Sequence, residues 1–273
     1  MIEAWQFLLA PFVMCVLLVG IHCYLGLHVL ARGVIFVDLS LAQVASFGAT
    51  VALLFELEHY NGVTYFVSLG FTFLAASFFA LARKYEHVFS QEAIIGIVYA
   101  MSSAAIVLVV DRMAHGAEHI KEALIGQILW VNWKDVTTTA SIYTGVGIVH
   151  YIFRKQMVEL SFGHGKVKSH FIWDLLFYAL FGVVITSSVH VAGVLLVFAY
   201  LIVPSIVSTL FFKTIRARLI FGWTLGTVLS FLGLAISYKL DIPAGAFIVV
   251  EFTLVPIFFL IAAPVFKLER LRG

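Results

Sequence analysis

The length of its apolar runs limits what this chain can fold into more than any other feature. A bilayer core about 30 Å thick is crossed by about 20 helical residues. Nine runs reach roughly that length: 5–27, 34–55, 62–82, 92–110, 136–153, 171–188, 190–212, 218–238 and 245–266. Only Thr186–His190 separates the sixth from the seventh, so eight spans are the other count. Unbroken runs predict helices, because barrel strands would alternate polar and apolar residues. The hydrophobic share is 62% and the charged share 12%, which leaves too little polar surface to cover a globule in water. The expected fold is an all-α, polytopic helical bundle in the membrane, one domain over 1–273.

The charges on either side of the runs predict an orientation. Short cytoplasmic loops carry an excess of Lys and Arg. With the N-terminus outside, the inner side holds Arg32, Arg83, Lys84, Arg154, Lys155, Lys166, Lys168, Lys213, Arg216, Arg218, Lys267, Arg270 and Arg272. The outer side holds Arg112, Lys121, Lys134 and Lys239. This puts the C-terminus in the cytoplasm. It also puts there the most basic interruption, Phe153 to Asp174, in which Glu159 is the one acid before Asp174. Glu3 in place of a basic cluster, before a long apolar run, fits no cleaved signal. A net charge of +2 gives no nucleic-acid footprint.

The other long interruption, 111–134, falls outside. Ile120, Leu124 and Ile128 recur every four residues among Glu118, His119, Lys121 and Glu122. That spacing predicts an amphipathic helix at the interface, anchored by Trp130 and Trp133. It reads either as a plain surface helix or as a docking face for an external partner.

Polar residues within the runs mark candidate paths. In the second run Ser40, Gln43, Ser46 and Thr50 step by three or four residues and form one helical stripe. In hydrocarbon such a stripe faces other helices, as packing or as the lining of a wet pathway. Asp38 lies on roughly the opposite face, and its alternatives are a functional carboxylate or a helix-start or ion-pair role near Arg32. His22, His190 and Glu251 are further ionisable groups in or beside spans, of types that suit zinc, manganese or iron. Their spacing includes no HxxxH pair, and a lone buried histidine is more often simply hydrogen-bonded. Pro204 and Pro256 lie inside spans and Pro243 opens the ninth. At membrane depth such prolines read either as the broken helices common in transporters or as mere kinks. Cys15 and Cys23 would stand about 12 Å apart on one helix, too far for a disulfide. No nucleophile elbow, HExxH or Walker loop is present, so an ATPase, if one drives the chain, is another subunit.

Several segments together resemble a known family. HVAGVLLVFAYLIVPSIVSTLF (190–211) and LGLAISYKLDIPAGAFIVV (232–250) resemble the permease subunits of bacterial ABC importers for zinc, manganese and iron. LIGQILWVNWKDV (124–136) resembles that family's Phe-Gly-Asn-Ile-Leu segment, with Asp135 as the acidic residue that follows it. SQEAIIGIVYA (90–100) resembles the start of the family's fourth span. With the second span included, the resemblance covers nearly the whole chain.

The resemblance implies a bacterial plasma-membrane homodimer, lipid around it, that works with cytoplasmic ATP-binding subunits and an extracytoplasmic metal-binding protein. ATP would be bound by the partner subunit and the divalent metal would be cargo, with no cofactor held by this chain. It implies that 154–170 is the coupling loop, with Arg154, Lys155, Glu159, Lys166 and Lys168 facing the ATPase. Arg112, Lys121 and Lys134 would meet acidic patches on the binding protein. Asp38, Ser40, Gln43, Ser46, His190 and Glu251 are the expected path residues. Relatives often carry Gly-Asp-x-x-x-His in the second span, but here Gln43 takes the histidine position and Leu39 the aspartate position, with Asp38 displaced by one. An amide is a poor metal ligand beside imidazole, so that site is not carried over. A stand-alone secondary transporter or channel for a small cation is the alternative class.

Overall fold

A computed structural model describes residues 2–55, 62–113, 116–163 and 170–266. It contains ten α-helices and, among the described residues, no strand. They are α1 (Ile2–Arg32), α2 (Val37–Leu54), α3 (Val63–Lys84), α4 (Gln91–Val110), α5 (Gly116–Ile125), α6 (Trp133–Ile152), α7 (Arg154–Phe162), α8 (His170–Phe211), α9 (Ile215–Leu240) and α10 (Ala244–Phe266). A 3-10 turn, Ile128–Trp130, precedes α6.

Local chemistry sets several helix starts. Ser90 accepts a hydrogen bond from the Ala93 N–H at the head of α4, and Thr214 does the same for Ala217 at the head of α9. At α6, Asn132 Oδ1 accepts from the Lys134 and Asp135 amides while Asp135 returns a bond to the Asn132 amide. This reciprocal capping box satisfies amides that a helix start leaves unpaired. It gives Asp135 a structural task whatever else it does.

The expected count of nine separate spans needs correction. Seven helices among the described residues are long and apolar enough to cross a membrane. The expected fifth span is α6, whose Lys134, Asp135 and run of threonines at 137–139 dilute its apolar character. The expected sixth and seventh are both α8, 42 residues long, and the break falls at Gly193 (φ 76, ψ 163) and not within Thr186–His190.

Gly193 reverses the chain. Phe177 packs against His28 with ring centroids 5.9 Å apart, and the Leu201 carbonyl packs against Gly26. Residues 177 and 201 would be about 36 Å apart on a straight helix, yet both meet the same turn of α1. The 170–192 and 194–211 limbs therefore fold back on each other. Gly126, also at positive φ, sits against the break, where a Cβ would collide with Ala192. Its neighbour Gln127 donates its amide to the Val191 carbonyl at 3.2 Å, so a carbonyl near the break keeps a partner.

α8 forms the centre and packs against α1, α2, α3, α5, α6, α7, α9 and α10. In lipid, close backbone approach replaces much of the hydrophobic drive between helices. Gly222 and Gly226, four apart on α9, seat Cys23 and Val19 of α1 where larger residues would clash. Cys15 and Cys23 are free and buried. After Pro204, Ser205 Oγ donates to the Cys23 carbonyl on α1, and Ser208 Oγ donates to the Ser205 carbonyl within α8.

Candidate functional site

Two groups of polar residues stand at opposite ends of the bundle. The first surrounds a cavity of about 480 Å³ beside α5. Ser46 and Thr50 reach it from α2, Ser68 from α3, His119 and Glu122 from α5, and Thr186 and His190 from α8. Thr50 and Thr186 spend their hydroxyls locally, on the Ser46 carbonyl and on Thr72 Oγ1. Ser46 Oγ is buried and makes no hydrogen bond. Glu122 accepts from the Gln127 amide at 3.0 Å, and Asp135 is held in the capping box. Along α2 the lining is neutral. Among the described residues no three His, Cys, Asp or Glu side chains are grouped to hold a metal ion.

Of the expected path residues, the structure brings Ser46 and His190 together at this cavity. Gln43 is buried one turn along the same stripe. Asp38 and Ser40 are buried nearer the start of α2, away from the cavity lining, and neither makes a side-chain hydrogen bond. Asp38 does stand in the first turn of α2, but Arg32 pairs with Asp174, so the ion pair expected beside Arg32 is corrected. Glu251 is on α10 against Gly233 of α9, apart from the other path residues. His22 Nδ1–H donates to the Leu18 carbonyl, 2.8 Å away, as a lone buried histidine commonly does. Arg112, Lys121 and Lys134 are exposed around α5. The amphipathic helix there ends at Ile125, and Trp130 (74% exposed) and Trp133 (51%) are exposed beside it, Trp130 with its ring centroid 6.0 Å from that of Phe7.

The second group lies at the end that carries α7, and sequence reasoning missed most of it. The expected coupling loop begins as a helix: Arg154–Phe162 buries Met157, Leu160 and Ser161 and leaves Arg154 and Lys155 exposed. Arg154 donates to the Tyr151 carbonyl and lies 4.6 Å over the Tyr151 ring. Glu159 is half-buried. Lys166 and Lys168 lie outside the described residues. Beneath α7, Arg32 and Arg83 both pair with Asp174 Oδ1, at 3.0 and 2.7 Å. Next to this pair His28 bonds Ser161 at 2.8 Å and the Tyr24 hydroxyl meets His150 Nδ1 at 3.2 Å. The signal that would have found them is the rule applied to Asp38: an ionisable group in an apolar run is presumed functional. His150 and Asp174 both satisfy it.

A sequence model of the ABC 3 transport family matches residues 4–263. The chain is similar to a probable iron transport system membrane protein of Haemophilus influenzae, 23% identical over 95% of this chain and 90% of the relative. It is also similar to the manganese import system permease protein ScaB of Streptococcus gordonii, 27% identical over 84% of this chain and 82% of that one. Among solved structures its fold is similar to PsaBC from Streptococcus pneumoniae in complex with a Fab. The TM-score is 0.77 and the identity 21%, with 96% of this chain and 94% of that one covered. An inward-facing putative metal-chelate type ABC transporter gives a TM-score of 0.70 at 17% identity, covering 93% and 85%.

Proposed function

Because the chain belongs to the ABC 3 transport family, we propose that it is the membrane permease of an importer for zinc, manganese or iron ions, driven by ATP hydrolysis on separate subunits. The observation that carries this reading is the family match across nearly the whole chain. The names of its relatives, an iron transport membrane protein and a manganese import permease, support metal as the cargo.

In this reading two copies of the chain assemble with two cytoplasmic ATPases and an extracytoplasmic metal-binding protein. The N-terminus is outside, α7 faces the ATPase and α5 faces the binding protein. Arg154, Lys155 and Glu159 on α7, with Lys166 and Lys168 after it, meet the ATPase. Arg112, Lys121 and Lys134 meet acidic groups of the binding protein, in contacts that weaken with salt.

The cargo enters beside Ser46 and His190 and passes along Gln43, with Asp38, Ser40 and Glu251 acting on the path from nearby. Hydroxyl and amide oxygens hold a divalent ion more weakly than imidazole or carboxylate would. The ion therefore moves on without lasting ligation, and the binding protein sets selectivity. ATP binding biases the bundle between two states, which requires that the nucleotide-bound partner engage them differently.

The test is deletion and complementation with cellular zinc, manganese and iron measured under scarcity, together with purification of the tagged chain. Loss of uptake of at least one metal and co-purification of an ATP-binding subunit are expected. Unchanged uptake of all three would overturn the reading. Asp38→Asn and Gln43→Ala are each expected to lower uptake in stably expressed protein, and full uptake in both would remove these residues from the path.

A further inference from the structure

One carboxylate joins three helices at the α7 end, and one of its arginines reaches a fourth. Asp174, at the start of α8, accepts from Arg32 of α1 and Arg83 of α3 through the same oxygen, Oδ1. Arg32 Nε also donates to Ser161 Oγ on α7 at 2.9 Å, and the Arg32 guanidinium lies 3.6 Å above the Phe177 ring. The side chains of Arg32 and Asp174 are 0% and 2% exposed, so water does little to screen them. Arg32 Nη2 is buried without a hydrogen bond. Beside the direct packing of α7 on α8, Arg32 is thus a polar link from α7 to α8, and Asp174 is where that link meets α3.

Two cations on one oxygen make a divided arrangement. A bidentate pair would occupy both guanidinium nitrogens and both carboxylate oxygens. Here each arginine brings one nitrogen to the shared oxygen. Moving Ser161 away from Arg32 removes an acceptor that orients this guanidinium against Asp174. Small shifts become discrete changes when a packed element has two positions.

The 170–192 limb of α8 connects this point to the cavity. Asp174 is near one end of the limb, and Thr186 and His190 line the cavity at the other, about 24 Å away along the helix. Thr186 meets Thr72 of α3 at 3.0 Å, and the limb ends at the Gly193 break. The same two helices, α3 and α8, are therefore joined at both ends.

We propose that Asp174 is the positioning residue through which movement of α7 displaces the 170–192 limb, so that the state of the cavity follows the state of the ATPase. This rests on the reading of the chain as an ABC permease. The competing account is a static clamp, which holds the bundle together and transmits nothing. A connection in space is not itself coupling, so the two must be separated by measuring coupling.

The permease is reconstituted in proteoliposomes with its ATPase and binding protein, and ATP hydrolysis is measured beside uptake of zinc, manganese and iron(II) in separate runs. Asp174→Asn is expected to keep hydrolysis within about twofold while uptake per ATP falls about tenfold, within the usual range of coupling between sites. Asp174→Glu should recover most of the ratio, which loss of a mere packing contact would not explain. Arg83→Gln, at the half-buried edge of the cluster, should lower the ratio about threefold. If uptake and hydrolysis fall in equal proportion, or the ratio does not change, the proposal is overturned. Should Asp174→Asn fail to assemble, Arg83→Gln decides by the same ratio. A wild-type complex without ATP-dependent uptake of any of the three metals contradicts the permease reading itself, and does so before any variant is compared.

Discussion

The two ends of the bundle treat polar groups in opposite ways. At the α7 end one cluster of charges is buried and paired, Arg32 and Arg83 with Asp174, and Ser161 bonds His28 and Arg32, while Asp38 on α2 is the buried carboxylate left without a partner. At the α5 end the polar groups surround a cavity, His190 is exposed, and the buried Ser46 hydroxyl makes no bond. A buried charge is tolerated only when paired, and breaking the pair is costly. A passage needs the reverse, sites that favour entry but hold too weakly to prevent exit. The first end fixes geometry, and the second leaves a cavity, which the proposed function assigns to the cargo.

Substitutions can break this comparison, and thermal unfolding of the detergent-solubilised protein reads each of them. The largest effect is expected for Asp174→Ala, which strands two arginines and should cost about 3–5 kcal/mol. A loss below about 1 kcal/mol would show that the pair is not held as described. Next is Gly193→Ala, which puts a side chain at positive φ and against the Gly126 backbone, for about 2–4 kcal/mol. Removing the exposed cap with Asn132→Ala should cost about 1 kcal/mol. Ser46→Ala removes no hydrogen bond and should change stability by less than about 0.5 kcal/mol. A large loss there would mean that Ser46 belongs to the scaffold and not to the passage.

Much of the fold was legible because lipid allows so few solutions. Runs of about 20 apolar residues can only be helices there, and all seven span-length helices begin or end within a few residues of predicted runs. The reversal in α8 was misplaced because Thr186–His190 looks like a short turn, whereas Gly193 alone tolerates the backbone that the turn needs. α7 was read as part of a loop because its basic face masks the spacing of Met157 and Leu160. Ser46 and His190 were singled out by polarity in or beside apolar runs, and both line the cavity. The Arg32–Asp174–Arg83 cluster was not found because its members are far apart in sequence, the arginines read as loop charges, and Asp174 was read as the end of the basic interruption and not as a carboxylate in an apolar run. Only tertiary packing reveals that the arginines share one carboxylate.

The most direct test of the account is whether metal moves through this chain only when ATP is hydrolysed beside it. Liposomes containing the purified chain alone, and liposomes containing it with its ATPase and binding protein, are compared for zinc, manganese and iron(II) uptake. The account predicts uptake only in the second set and only with ATP. Gradient-driven uptake by the chain alone would contradict it and favour a stand-alone transporter or channel.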